Sequence, residues 1–480
     1  MSAVFWKRFL GTWSIALLTL FLSRLVFAIN LRNYFDGSFL DYFDAFLFGS
    51  RFDIVAVTFL VGPYFIALPL LRNGISESIA KLYFIAMLAA MNLLNCIDAE
   101  FFKFTARRST DDLFEFAFLS DDLFNIAPNL LTHFWYLLAA FVLIVLLAWW
   151  LYGKLFSAED ATKGWKRAVA LLPIALILIV GSRGGVQPIP LGIINAGTTD
   201  KPQLNAVILN TPFTILKTIG KPELERYVFG AEESIPFDPI RKNSGSKVHG
   251  EFSGDNVVII IVESLSAEYV GYLNGLDHTY TPFIDSLCKR SMVFSNAFAN
   301  GHRSIEGIPA IMASMPTLMY ESYTTSRYAG NTINSFADVL GSKGYFSAFM
   351  HGGNENSMNF QSFCQQAGFD LFYDRNDYPY PNEHYDGFWG ISDFLNHCVD
   401  KFTEFRKPFV SGIFTLSSHH PYSIPNEYRD IYPKGTLPIH ESMGYTDEAL
   451  RQFFAKASKT DWYRNTLFVI TADHTSLSEH

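Results

Sequence analysis

Three residues with metal-binding or acid–base chemistry stand where apolar runs of the chain stop. Glu263 directly follows NVVIIIV (256–262), and Asp473 and His474 come just after TLFVIT (466–471). If both runs are strands of one sheet, their ends present two carboxylates and an imidazole together, an oxygen/nitrogen donor set suited to a divalent metal. Taken singly, each has a plainer use: an acid after a strand often caps a helix, and a lone histidine is often a surface residue. The joint placement favours a site. Ser304, in NAFANGHRSIEGIPAIMASMP, precedes an expected helix beginning near Ile305. Its hydroxyl can cap that helix, or act as a nucleophile where free helix N–H groups receive an anion. Nothing beside it in sequence would activate it except a metal. His351 follows YFSAFM (345–350), and His419 and His420 follow FTLSS (414–418). An imidazole at such a place can bind phosphate oxygens or protonate a leaving alkoxide.

The elements that must carry these residues are the continuous β-branched run at 256–262 and similar short runs at 345–350, 409–416 and 466–471. Helix-like stretches separate them: TPFIDSLCKRSM, NSFADVLGSKG, FWGISDFLNHCVDKF and YTDEALRQFFAKASK. Strand–helix alternation with continuously apolar strands predicts an α/β domain around a mostly parallel sheet. Ligands of such sheets bind beyond the carboxyl ends of the strands, where the polar residues named above lie.

The rest of the chain has a different composition. Of its 480 residues 49% are hydrophobic and 17% charged, against about 25% charged in an average soluble domain. The mean hydropathy is +0.15. The apolar excess falls before about residue 182, in five stretches near 9–29, 52–71, 79–97, 131–152 and 165–182. A helix needs roughly 20 residues to cross the hydrocarbon core, so five spans are expected. Arg24 lies near the end of the first, where a long side chain can snorkel. Basic residues Lys7, Arg8, Arg72, Lys81, Lys154, Lys163, Lys166 and Arg167 mark the cytoplasmic side if the N-terminus is inside. Five spans then leave everything after about 183 extracytoplasmic. The loop 98–130 mixes phenylalanines with acids and with Arg107 and Arg108, a pattern that suits the membrane interface, with a lipid-headgroup contact as one use of the two arginines. Residues 206–220 suggest a short helix along the membrane, and the Gly-, Ser- and Pro-rich stretch up to 255 suggests a tether. The expected organisation is a transmembrane domain 1–182, a juxtamembrane linker 183–255 and an extracytoplasmic catalytic domain 256–480. A net charge of −9 gives no nucleic-acid footprint, and four cysteines without a CxxC pair indicate neither a zinc ribbon nor a disulfide scaffold.

The segments VVIIIVESLS, GHRSIEGIPAIMAS, FMHGGNENSMNF, TLSSHHPY and YTDEALRQFF followed by NTLFVITADH resemble the lipoteichoic acid synthase and phosphoglycerol transferase branch of the sulfatase/alkaline phosphatase superfamily. The resemblance implies that Glu263, Ser304, Asp473 and His474 ligate one divalent cation, typically Mn2+. It implies that Ser304 is the nucleophile, that His419 contacts the transferred phosphate, and that His351 is a further substrate-side histidine. It further implies a bacterial multi-pass membrane enzyme. Such an enzyme moves a phospho-head group from a phospholipid donor to an envelope glycan or lipid acceptor through a covalent serine intermediate. The sequence departs from the pattern in three places. Met358 and Phe360 stand where lipoteichoic acid synthases have a Trp and an Arg that hold glycerol phosphate, so phosphoethanolamine is a donor head group to weigh beside phosphoglycerol. The Cys/Ser-x-Pro-x-Arg signature of formylglycine sulfatases is absent around Ser304. His480 follows His474 closely, whereas the family continues further, so a truncated catalytic domain is expected. A sulfatase-like phosphodiesterase or sulfuric ester hydrolase, and a catalytically inactive membrane scaffold, are the alternative readings.

Overall fold

The computed structural model describes residues 3–71, 74–114, 134–156, 168–197, 201–225, 253–276, 278–354, 357–378, 384–385, 388–389 and 391–476. The chain divides into two compact units: Met1–Lys221 with Thr324–Ile333, and Pro222–Tyr323 with Asn334–His480.

In the first unit the apolar runs form α1 (Ala3–Asn30), α2 (Phe39–Ala67), α3 (Gly74–Thr105) and α4 (Trp135–Leu155). All four are long and apolar enough to cross a membrane. Even α4, with 21 residues, spans about 31 Å at 1.5 Å per residue, matching a hydrocarbon core of about 30 Å. The expected fifth span is different. It appears as α5 (Leu171–Arg183), whose 13 residues cover only about 20 Å; residues 157–167, with Lys163, Lys166 and Arg167, lie outside the described residues, as does Arg72. Among the described residues, four helices meet the length requirement. Leu143 and Leu146 of α4 and Leu172 and Leu176 of α5 are exposed, a surface that acyl chains would solvate and water would not.

The interior of this unit is unexpectedly ionic. Arg24 does not snorkel. It is buried, donates to the Gly49 carbonyl at 2.8 Å and pairs with Asp53 of α2. Asp53 supplies the counter-charge, and Gly49 supplies the space: a Cβ there would lie 1.4 Å from an Arg24 guanidinium nitrogen. Arg108 is likewise turned inward, with Asp98 at 3.0 Å, the Ala206 carbonyl at 2.7 Å and the Phe27 ring 3.4 Å beneath it. It is thus committed to protein groups rather than to a lipid headgroup, while Arg107 pairs with Asp112. The remainder of the interfacial loop, 115–133, lies outside the described residues. The helix expected within 206–220 is α6 (Thr211–Thr218), capped by Asn210, whose side chain accepts from the Phe213 N–H and donates to Asp53 at 2.9 Å. The Thr211 hydroxyl donates to Asp98 at 2.8 Å, so α6 buries its polar face among the ion pairs of the bundle.

In the second unit, β1 (Asn256–Val262), β2 (Phe346–His351), β3 (Leu371–Tyr373), β6 (Phe409–Phe414) and β7 (Thr466–Ala472) form a sheet in the order β3-β2-β6-β1-β7, every pairing parallel. The four expected strands are all present, and β3 is an addition too short to show a pattern. A small antiparallel pair, β4 (His384–Tyr385) and β5 (Phe388–Trp389), takes residues expected to open a helix. That helix starts only at Ile391, because Phe388 and Trp389 pair across the hairpin instead. The helices that position the site are α7 (Ser304–Ala313), α8 (Ile391–Glu404) and α9 (Pro438–Ala457). On one face of the sheet, Val258, Ile260 and Val262 pack with Leu395, Phe402, Leu450, Phe453 and Trp462 from α8, α9 and the turn before β7. The central strand β6 is buried along its whole length, the small Ser411 and Gly412 included. Residues 253–255 lead into β1, and most of the expected tether, 226–252, lies outside the described residues.

Candidate active site

The carboxyl ends of β1 and β7 are adjacent because these strands pair in register, Val262 opposite Ala472. The next residues, Glu263 and Asp473, therefore leave the sheet side by side. With His474 they offer ligand atoms that all lie within 4.8 Å of one another, and all three are buried. Ser304 joins them from α7. Its hydroxyl oxygen lies 3.2 Å from Glu263 Oε2 and 3.3 Å from His474 Nε2. Four residues singled out in the sequence, Glu263, Ser304, Asp473 and His474, are thus brought together from three segments.

The helix α7 begins at Ser304 itself, one residue earlier than expected, so Ser304 is its first residue and Arg303 its cap. The Arg303 side chain gives no capping bond. The Ser304 hydroxyl points into the cluster, and the Glu306 and Gly307 N–H groups of the first turn bond the Arg303 carbonyl, each at 2.9 Å. The close approach of α7 depends on Gly307, where a Cβ would fall 2.4 Å from the Asp473 carbonyl oxygen. No side chain fits between α7 and the segment after β7.

The electrostatics are those of a site that suits a cation. Burial drives the Asp473 carboxyl up to about 6, with the Glu263 charge adding to the effect. Burial also raises Glu263, but hydrogen bonds from His474 and Ser264 outweigh it and hold that carboxyl below its ordinary value. Burial opposes a charge on His474, yet the hydrogen bond to Glu263 and the charge of Asp473 raise the imidazole to about 9. Asp473 Oδ1 accepts from the backbone N–H groups of Ser264 and His474, each at 2.9 Å. Asp473 Oδ2 is buried with no hydrogen-bond partner. Its ionic neighbour is His474 Nε2 at 3.3 Å, and a divalent cation is the group this oxygen and nitrogen donor set suits. His474 Nδ1 lies 2.7 Å from the Thr475 carbonyl, which fixes the proton there and leaves Nε2 toward the cluster. The residues present therefore fit a metal.

The other two candidate histidines, His351 and His419, are not among the grouped ligand atoms, though each interacts electrostatically with Glu263. His351 is the last residue of β2 rather than the residue after it, and is 1% exposed. Its ring lies parallel to Phe414 and edge-on to Phe360, and neither nitrogen has a hydrogen-bond partner. Burial holds it down to about 4, so it is neutral at physiological pH. Phe360, the departure noted in the sequence, packs against this histidine where a polar clamp was to be looked for. Met358 sits in a turn at φ 50. His419 is half-buried in the loop after β6, its Nδ1 2.7 Å from the His420 carbonyl, and its charge is among the smaller influences on Glu263.

Sequence reasoning missed the residues that hold the cluster in shape. The Glu263 N–H donates to the Thr415 hydroxyl at 3.0 Å, and its carbonyl accepts from Ser418 at 2.6 Å. Ser264 hydrogen-bonds both acids. Their places within the ESLS and TLSSHH segments were the only available signal.

The sulfatase family model matches residues 255–480. That stretch is similar to the sulfatase family. Among curated proteins it is 26% identical over 244 residues to lipoteichoic acid synthase 1 of Bacillus subtilis (strain 168), covering 48% of this chain and 38% of that protein. It is 25% identical over 248 residues to the lipoteichoic acid synthase of Staphylococcus aureus (strain USA300), again covering 48% and 38%. The chain thus spans about two fifths of the length of these relatives. Among solved structures, a protein in the alkaline phosphatase superfamily from Vibrio parahaemolyticus aligns with TM-score 0.43 and 30% identity, covering 47% of this chain and 56% of that one. The lipoteichoic acid synthase LtaP from Listeria monocytogenes aligns with TM-score 0.42 and 22% identity, covering 47% and 57%.

Proposed function

We propose that the chain is a membrane-anchored, metal-dependent transferase. It moves a phospho-head group, of the phosphoglycerol or phosphoethanolamine type, from a phospholipid to an envelope glycan or lipid acceptor. The observation that carries this reading is the convergence of Ser304, at the first turn of α7, on Glu263, Asp473 and His474. In this reading residues 1–182 anchor the enzyme in the bacterial cell membrane, 183–255 link, and 256–480 form the extracytoplasmic catalytic domain. Glu263, Asp473, His474 and the Ser304 hydroxyl would hold one divalent ion, Mn2+ by analogy with the family, whose positive charge lowers the pKa of the serine hydroxyl.

The chain's own residues do the rest. Ser304 Oγ attacks phosphorus and the bond from phosphorus to the diacylglycerol oxygen breaks, leaving the head group esterified to the serine. The N-terminal end of α7 receives the phosphoryl oxygens. His419 contacts the phosphate and gives a proton to the departing diacylglycerol alkoxide. The acceptor hydroxyl then attacks the phosphoserine, its proton passes to His419, and Ser304 is released. His351, neutral and walled by Phe414 and Phe360, lines the substrate side as a hydrogen-bonding imidazole rather than as a cation.

Turnover of fluorescent phospholipids by the purified chain, with and without Ser304→Ala, tests the proposal. Ser304→Ala is expected to lose head-group transfer while keeping lipid binding, and Ser304→Thr to keep part of it because the hydroxyl remains. Substantial activity in the alanine variant would remove Ser304 as nucleophile and point to a hydrolase that uses water.

A further inference from the structure

We infer that Ser264 is a positioning residue that chooses which oxygen of each site carboxylate faces the metal. The inference rests on the reading of Glu263, Asp473 and His474 as a cation site.

Ser264 is buried and sits at φ 56, in the left-handed region that residues other than glycine seldom occupy. That turn of the backbone produces two bonds. The Ser264 N–H donates to Asp473 Oδ1 at 2.9 Å, and the Ser264 hydroxyl donates to Glu263 Oε1 at 2.7 Å. One residue therefore clamps the acid that ends β1 and the acid that follows β7, although they are far apart in the chain. The oxygens it occupies determine the ones it leaves. On Asp473 the remaining oxygen, Oδ2, is buried without a hydrogen bond. On Glu263 the remaining oxygen, Oε2, lies 3.2 Å from Ser304 Oγ.

The Glu263 backbone is already fixed by Thr415 and Ser418 at its N–H and carbonyl. Rotation of the carboxylate is the freedom left, and the Ser264 hydroxyl at 2.7 Å is its shortest restraint, ahead of Ser304 on Oε2 at 3.2 Å and His474 Nε2 at 3.4 Å from Oε1. Without that bond, two buried carboxylates close together would turn away from one another unless a cation held them, so part of the binding energy would go into reorienting them. Outer partners of ligating carboxylates commonly change metal affinity by about 10- to 100-fold.

The test is titration calorimetry of Mn2+ into the full-length chain in detergent, with the thermal midpoint of the metal-free protein measured in parallel. Ser264→Gly keeps the N–H bond to Asp473, accepts the positive φ without strain and removes the hydroxymethyl side chain, whereas Ser264→Ala deletes only the hydroxyl. It is expected to bind Mn2+ about tenfold more weakly, with a metal-free midpoint equal to or above that of the parent. Ser264→Ala is expected to weaken binding to the same degree. Parent-like affinity in Ser264→Gly would overturn the inference. So would weaker binding accompanied by a lower metal-free midpoint, which would make Ser264 a merely structural residue. Glu263→Gln separates this from failure of the underlying reading. If Glu263→Gln binds Mn2+ as well as the parent, the cation site itself is wrong. If Glu263→Gln loses binding and Ser264→Gly does not, only the role of Ser264 falls.

Discussion

His474 combines the two demands on this site, since it must carry a proton when alone and surrender it to a ligand. In the metal-free site its imidazole is raised to about 9 by Glu263 and Asp473 against the effect of burial. Its folded value lies above the ordinary 6.5, so its contribution to the stability of the metal-free protein is full below that value and is lost as pH rises through about 9. Metal binding runs the other way, because an ion must displace that proton. The apparent affinity for Mn2+ should therefore strengthen by about tenfold per pH unit between roughly pH 6.5 and 8.5, and level off above about 9. Below about 6, where the raised Asp473 carboxyl also takes a proton, the dependence should steepen. Calorimetric titration across pH checks this; a flat profile from 6.5 to 8.5 would mean that His474 is not a ligand. Glu263, Asp473 and His474 were legible in the sequence because strand ends are legible: a short apolar run stops and polar residues follow at once or one residue later, whereas Ser304 was marked by the helix start it precedes. Ser264 was not legible, because its role depends on a positive φ and on a carboxylate brought from the other end of the domain.

At the scale of elements, the site depends on how closely α7 can approach the end of β7. A Cβ at Gly307 would meet the Asp473 carbonyl oxygen at 2.4 Å and the carbonyl carbon at 2.8 Å. These are backbone atoms, which cannot rotate aside as a side chain can. Gly307→Ala should thus displace Ser304 from its partners while leaving the sheet intact. Turnover is expected to fall on the order of 100-fold, as for other misplacements of about 1 Å, with far-ultraviolet circular dichroism unchanged. Parent-like turnover would show that α7 has slack. The helix itself was expected from its sequence, and its first residue was misplaced by only one position. The contact that makes it useful could not be read, since a glycine inside a helix does not say which backbone it admits. His351 shows the same limit: strand periodicity placed it at a strand end, but only packing against Phe414 and Phe360 makes it a buried neutral ring.

On the scale of the molecule, the four long apolar helices were legible by length and composition, and the ionic interior of their bundle was not. Arg24 looked like a snorkelling residue because its counter-ion, Asp53, lies on the next helix and Gly49 makes room for it. Removing one partner leaves the other charge buried and uncompensated. Arg24→Leu should destabilise the full chain in detergent by about 3–5 kcal/mol, and Arg24→Leu with Asp53→Leu by less than Arg24→Leu alone; chemical denaturation of the purified chain would compare them. The most direct test of the central claim addresses the chemistry of the whole chain. The full chain is incubated with Mn2+ and mixed phospholipids, without any acceptor, and the peptide carrying Ser304 is analysed by mass spectrometry. The account predicts a phosphorylated head group on Ser304, its mass identifying phosphoglycerol or phosphoethanolamine, with diacylglycerol released in equal amount. Release of diacylglycerol with Ser304 unmodified at every time point would contradict it.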